Sequence, residues 1–359
     1  MKRYGDLFEK IVDVKNIIDA HKNAQKGKRH YKEVHFFDQH LYHNARVIRK
    51  ILKERSYEPS AYTKMIVCDR GKPREILKTK YYPDRIIHHA LMQVIEPIFE
   101  KMYIKDTYQS IKGRGTHKAI KRVKSFMKDE VATRYCLKLD IKKFYPSVDN
   151  ETMKMLFRKR IKDEDTLWLL DTIIDSTNGL PIGNYTSQAF ANYYLSFFDH
   201  FIKEELCIKH YVRYADDMVI FSEDKEPLHI MFSKIKSYLN TLKLTIKKDW
   251  QIFETRLRGL DFLGYRIFGN YTLLRKKMAT KIKRAFSQNI SSLSGISRIM
   301  SYIGWMEKAN TYNLLRTLID KTFLAKIRFL SKYIGIKNPF KGFTIVPKKL
   351  KKTMQLTLF

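Results

Sequence analysis

Asp216 and Asp217 stand side by side between two β-type runs, Tyr211-Val212-Arg213-Tyr214 and Met218-Val219-Ile220-Phe221. Adjacent acids in a turn are commonly solvated loop charges. Here the flanks are rich in apolar and aromatic residues, which places the pair at the tip of a buried hairpin. Two carboxylates held together raise each other's pKa unless a cation joins them. A third, Asp140, ends an alternating run in which Leu137, Leu139 and Ile141 face one way and Cys136, Lys138 and Asp140 the other. Three carboxylates converging at the ends of neighbouring strands would form an oxygen-only site, the kind that selects Mg²⁺. Two such ions are expected, one activating an attacking hydroxyl and one steadying a leaving pyrophosphate oxygen.

The elements that must position these acids follow from periodicity and turn residues. Apolar spacing predicts helices in 1–55, with a polar basic loop over 23–32. Strands are expected at 63–68 and 75–79 around a turn, Arg70-Gly71-Lys72-Pro73-Arg74. A helix opens at Pro83-Asp84-Arg85, and a Gly-rich turn at 112–116 leads into a basic helix. Asp149 is a candidate N-cap. A turn at Pro181 becomes a helix to 198. A helix to Leu242 is followed by a strand near 244–246. A tight hairpin is expected around Gly269-Asn270, and 278–334 reads as basic helix. His88 and His89 are adjacent on a helix and point about 100° apart, so packing or RNA contact suits them better than a shared metal.

The charge balance points to the partner. The 359 residues carry 70 Lys/Arg against 37 Asp/Glu, a formal net charge of +33. In 271–359 there are 19 basic residues and two acids, Glu307 and Asp320. Such an excess repels itself unless a polyanion neutralises it, and soluble surfaces usually mix signs, so nucleic acid is the expected partner. The 44% apolar content is enough for a core and excludes global disorder. No apolar run of about 18 residues is present, and the charged start does not read as a signal peptide. The three separated cysteines (Cys68, Cys136, Cys207) exclude a disulfide framework and a Cys-based zinc site. A cytoplasmic location, with no membrane partner, is expected.

Tyr214-Ala215-Asp216-Asp217 resembles the YxDD box of reverse transcriptases, and Leu139-Asp140-Ile141-Lys142-Lys143-Phe144-Tyr145 resembles their first catalytic box. The resemblance implies an α+β right-hand polymerase, with an antiparallel palm sheet and a helical thumb. It makes Asp140, Asp216 and Asp217 the catalytic metal ligands, with Ile141 lending its backbone carbonyl to two Mg²⁺ ions. Tyr145 falls at the steric gate against a 2′-OH. Lys72-Pro73-Arg74-Glu75-Ile76 resembles the segment that meets the incoming dNTP; Arg74 suits this by its forked guanidinium, with Lys72 assisting. Lys112-Gly113-Arg114-Gly115-Thr116-His117 resembles the block along the template, so Arg114 is expected on nucleic acid. Phe262-Leu263-Gly264-Tyr265 resembles the primer-grip hairpin, which implies the same for Tyr265. The implied organisation is a basic N-terminal extension (1–55), fingers (56–130), palm (131–275), thumb (276–334) and basic tail (335–359).

Gly179-Leu180-Pro181-Ile182-Gly183-Asn184-Tyr185-Thr186-Ser187-Gln188 bears on the subfamily. Ile182 stands where most reverse transcriptases have a Gln bordering the nucleotide pocket. With Ser187-Gln188, it is similar to the pattern of diversity-generating retroelements of bacteria and phages. Those enzymes make error-prone cDNA from a template RNA, and a small basic accessory protein is expected with them. An antiviral-defence or group II intron-like reverse transcriptase is the alternative. A catalytically idle RNA-binding scaffold is a different class, disfavoured because all three acids are present. A Lys that follows the YxDD hairpin in many relatives aligns with Trp250; Lys247 or Lys248 could substitute, and no general acid is assigned. The end, Gln355-Leu356-Thr357-Leu358-Phe359, resembles a sliding-clamp peptide. The competing reading folds these apolar residues back onto the protein.

Overall fold

A computed structural model describes residues 2–69, 72–287 and 293–319. The chain forms two compact units, one of residues 1–115 with 137–252, the other of 116–136 with 253 onward. These units cut across the boundaries at 130 and 275 read from the sequence. The tail over 335–359, with the clamp-like residues 355–359, lies outside the described residues.

In the first unit, helices Val14–Ala24 and Leu41–Lys53 form a bundle with Ile86–Glu100. Leu41–Lys53 buries Ala45, Ile48 and Leu52, one stripe at helical spacing. Arg46, Arg49, Lys50 and Lys53 lie off that buried stripe, which is how so basic a segment still builds a core. A long ribbon follows, strands β1 (Thr63–Asp69) and β2 (Lys72–Lys78), paired from Thr63↔Lys78 to Asp69↔Lys72. Lys72, Pro73 and Arg74 therefore belong to the strand and not to the expected turn.

The main sheet runs in the order β3-β5-β6-β4-β7, from β3 (Thr107–Tyr108), β4 (Tyr135–Asp140), β5 (Tyr211–Tyr214), β6 (Asp217–Ser222) and β7 (Gln251–Glu254). On β4 Leu137 and Leu139 are buried as expected, and so is Cys136, so the opposite face is also covered at that end. The strand expected at 244–246 reduces to one bridge, Ile246↔Ile141, and the sheet is extended by β7 instead. Helix Tyr185–His200 is buried nearly all round, including its polar Thr186, Ser187, Asn192, Ser196 and Asp199. Its Phe190 and Tyr193 pack with Phe99 and Phe157, the rings of Phe99 and Tyr193 stacking at 4.1 Å. Asp149 caps helix Asn150–Arg158 by accepting from the Thr152 amide at 2.8 Å.

In the second unit, β8 (Leu260–Phe262), β9 (Tyr265–Ile267) and β10 (Thr272–Leu274) form a three-stranded sheet in the order β10-β9-β8. Helices Lys276–Ser287, Leu293–Met306 and Tyr312–Leu318 share a core of Ile282, Phe286, Ile299, Ile303, Met306 and Leu315. The turn between β8 and β9 needs a glycine. Gly264 has φ +88, and a Cβ there would lie 2.6 Å from the Trp305 ring. Gly264→Ala should therefore cost more than about 1 kcal/mol through strain and crowding. Gly115→Ala, whose Cβ would meet nothing within 4 Å, should be near neutral. Urea unfolding followed by Trp fluorescence compares them, and equal midpoints would contradict the turn geometry.

Candidate active site

The β5–β6 hairpin closes between paired residues Tyr214 and Asp217, leaving Ala215 and Asp216 as its two-residue turn. Ala215 sits at φ +54, a left-handed conformation that costs about 1–2 kcal/mol for a residue with a Cβ. Two bonds hold it there. Its amide donates to the Tyr108 carbonyl at 3.4 Å, and its carbonyl accepts from Arg213 Nη1 at 3.1 Å.

Arg213 is fully buried. It forks onto Asp199, Nε to Oδ1 at 2.7 Å and Nη2 to Oδ2 at 2.6 Å. Tyr211 Oη and Thr107 Oγ1 donate to the same carboxylate at 2.8 and 2.7 Å. Burial alone would lower the Arg213 pKa, but Asp199 outweighs it and the net shift is upward. The sequence reading missed this group. Its signals were an Arg inside a buried strand and an Asp ending the apolar run Phe197-Phe198.

The structure sets β4 beside β6, so Asp140 and Asp217 lie on neighbouring strands, with Asp216 in the adjoining turn. Burial, then the charge of Asp140 and a hydrogen bond with it, push Asp216 up to about 7. Each strand acid also has a lysine. Lys247 Nζ lies 2.5 Å from Asp140 Oδ2, and Lys138 Nζ lies 3.8 Å from Asp217 Oδ1. Burial acts to lower the Lys247 ammonium, Asp140 more than offsets this, and its pKa is raised. As they stand, no three His, Cys, Asp or Glu side chains among the described residues are grouped to hold one metal. The expected three-way convergence is thus not reached among the described side chains.

The donor chemistry nonetheless fits a hard divalent cation. The set is all oxygen, Asp140 and Asp216 are close enough to perturb one another, and Asp140 Oδ1 is buried without a hydrogen-bond partner. Ile141, next on the chain, is fully buried.

Tyr145 is half-buried, and burial, then the Asp216 charge, push its hydroxyl up to about 12. Its carbonyl accepts from the Leu180 amide at 2.9 Å, which ties it to the segment carrying Ile182. Ile182 is half-buried, and its carbonyl accepts from the Leu77 amide at 2.8 Å on β2. Arg74 lies on the same strand with an exposed side chain, opposite Val67. Lys72 opens that strand.

Two expected nucleic-acid residues are engaged within the protein. Arg114 Nη1 donates to the Ile104 carbonyl at 2.6 Å and the Thr107 carbonyl at 3.4 Å, bracing the approach to β3. Tyr265, in the second unit, is fully buried, stacks on Trp305 at 5.3 Å, and donates to its carbonyl at 3.0 Å. It supports the β8–β9 turn. His88 and His89 are buried, and burial lowers their pKa values to about 4 and about 3. His89 stacks on Tyr185 at 3.8 Å, so both histidines pack. Trp250 stacks on Phe232 at 3.9 Å.

Breaking a buried ion pair by removing one partner costs about 3–5 kcal/mol, whereas replacing both with apolar groups costs far less. Arg213→Met and Asp199→Leu should each destabilise by that amount. The double variant should be milder than the sum. Additive losses in a denaturant double-mutant cycle would show that the two residues do not act as a unit.

Residues 68–267, more than half of the chain, match the family described as reverse transcriptase (RNA-dependent DNA polymerase). The chain is 23% identical to the retron Ec73 reverse transcriptase of Escherichia coli, over 73% of this chain and 88% of that protein. It is 25% identical to the group II intron-encoded protein LtrA of Lactococcus lactis, over 43% of this chain but 28% of the relative. The structure of apo telomerase from Candida tropicalis aligns with a TM-score of 0.52 at 12% identity, covering 77% of this chain and 59% of that one. That likeness concerns the fold, a right hand of mixed helix and sheet. No helix among the described residues is long and apolar enough to cross a membrane. With a family match that spans both the first catalytic box and the YADD hairpin, the chain belongs to the reverse transcriptases and is an RNA-directed DNA polymerase.

Proposed function

We propose that Asp140, Asp216 and Asp217 are the catalytic carboxylates of RNA-templated DNA synthesis and that, with the Ile141 carbonyl, they hold two Mg²⁺ ions. The observation that carries this reading is the close Asp140–Asp216 pair beside a turn kept strained by a buried ion pair. When bound, the metals supply activation of the primer 3′-hydroxyl and charge stabilisation on the pyrophosphate. The chain does the rest. Arg74, with Lys72, takes the dNTP phosphates, because a guanidinium forks onto phosphate oxygens. The Tyr145 ring stands against a ribose 2′-OH. Ile182 borders the base. Template RNA and cDNA are held by the basic segments 1–55 and 271–352, with Arg114 and Tyr265 positioning the loops that approach nucleic acid. Fingers, palm and thumb keep the bounds read from the sequence in this reading.

For its biological setting, we propose error-prone cDNA synthesis in a bacterial or phage diversity-generating retroelement. The support is Ile182 with Ser187-Gln188. A second reading, an antiviral-defence or group II intron-like enzyme, is compatible with the retron relative, of which this chain covers 88%, and with the group II intron-encoded relative. Flanking DNA separates them: a template repeat, an adenine-differing variable repeat and a small basic accessory gene belong to the first. Binding of that accessory protein, of a sliding clamp through residues 355–359, and a cytoplasmic location complete the first proposal.

Asp140→Ala or Asp217→Ala should abolish primer extension on an RNA template while circular dichroism stays unchanged. Normal extension by either variant would end the assignment. Ile182→Gln should reduce misincorporation opposite template adenine, since an amide beside the base restores a hydrogen bond that separates correct from incorrect pairs. Sequencing the products of both enzymes on one mixed template reads this directly, and equal error rates would break the link to Ile182.

A further inference from the structure

We infer that Lys247 is a built-in counter-cation at Asp140, competing there with a divalent metal. The inference rests on the proposed reading of the carboxylates as metal ligands.

The backbone places this lysine deliberately close. Residues 245–247 run antiparallel to 140–142. The Lys142 amide donates to the Thr245 carbonyl at 2.8 Å, Ile141 and Ile246 form a bridge, and the Lys247 amide donates to the Asp140 carbonyl at 2.8 Å. Lys247 is thus register-paired with the acid it neutralises, and its ammonium reaches Asp140 Oδ2. Both side chains remain about one-third exposed, 38% for Lys247 and 33% for Asp140, so the pair can open. The neighbouring Lys248 is exposed.

The charges around the ammonium explain its use. It faces Asp140 and Asp216, with Asp249 contributing from its own segment. Without a cation, two half-buried carboxylates in contact would repel, and the strained turn at Ala215 would carry that repulsion as well. One fixed ammonium offsets part of it. Lys247 occupies one carboxylate oxygen of Asp140 and leaves Oδ1 unpartnered, so a metal that used both oxygens would displace the ammonium, and one that used Oδ1 alone would still meet its charge; either way apparent metal affinity is lowered. The lysine remains tethered by its backbone beside the filled site. Loading sets one cation against another, with no bond made or broken in the chain.

The test is Mn²⁺ binding to the full chain without nucleic acid, followed by electron paramagnetic resonance of the free ion. Lys247→Met should tighten binding about five-fold or more over wild type, because a neighbouring positive charge is removed from a partly screened site. Lys248→Met removes the same charge from the exposed neighbour and should change affinity far less. Lys247→Arg keeps the charge and should stay near wild type. In thermal melts, Lys247→Met should lose stability without metal and regain it with Mn²⁺. Equal affinities for Lys247→Met and Lys248→Met would overturn the counter-cation while leaving the metal site standing. Failure of Asp140→Asn to weaken Mn²⁺ binding would overturn the metal reading itself, and the counter-cation with it.

Discussion

The interaction on which the rest depends is the buried pair of Arg213 and Asp199. Two full charges with no solvent exposure are tolerable only when each finds several partners, and here they do. Asp199 accepts from Arg213, Tyr211 and Thr107. Arg213 has donor capacity left over, and spends it on the carbonyl of Ala215. A helix end, strand β3 and the β5–β6 hairpin are thereby fixed to one point. The YADD turn inherits its position from that point, and its left-handed alanine is held by bonds rather than by its own preference.

A second constraint is the distribution of charge. The chain is strongly basic, yet Asp140, Asp216 and Asp217 are gathered on two neighbouring strands and the turn beside them. Lys138 on β4 and Lys247 on the adjoining segment each stand against one of them. Surplus lysine on the outer faces of helices such as Leu41–Lys53 serves a different end, since those side chains meet solvent or a polyanion. The same residue type thus acts locally as a counter-charge and globally as a field that draws nucleic acid.

Much of this was legible before any coordinates. Alternation in Tyr135–Asp140 marks β4, the flanks of Asp216-Asp217 mark a hairpin, and Asp149 marks a helix start, because each depends on neighbours within a few residues. What stayed hidden depends on contacts distant in sequence. Asp199 and Arg213 are fourteen residues apart, joined only once the helix returns to the sheet. Lys247 meets Asp140 across 107 residues, and no local pattern distinguishes it from Lys248. Tyr265 shows the converse: its place in a motif says nothing of burial, and the fold spends its ring on Trp305. The strand expected at 244–246 failed because β-type composition does not supply a ladder partner beyond the single Ile141 bridge.

These constraints also explain how one scaffold can carry different copying behaviour. The turn after Pro181 is joined to the fingers ribbon by the bond from the Leu77 amide to the Ile182 carbonyl. Gly183, at φ +120, lies so close to β2 that a Cβ would come within 2.7 Å of Ile76. The backbone there is fixed by glycine and by a main-chain bond, neither of which involves the side chain of residue 182. On the proposed reading, a change at that position would alter what borders the base without moving the ribbon that carries Arg74 or the hairpin that carries Asp216. Polymerisation chemistry and base discrimination would then be separable in this fold. The first would rest on a hairpin anchored by a buried ion pair, and the second on a side chain whose backbone is already held.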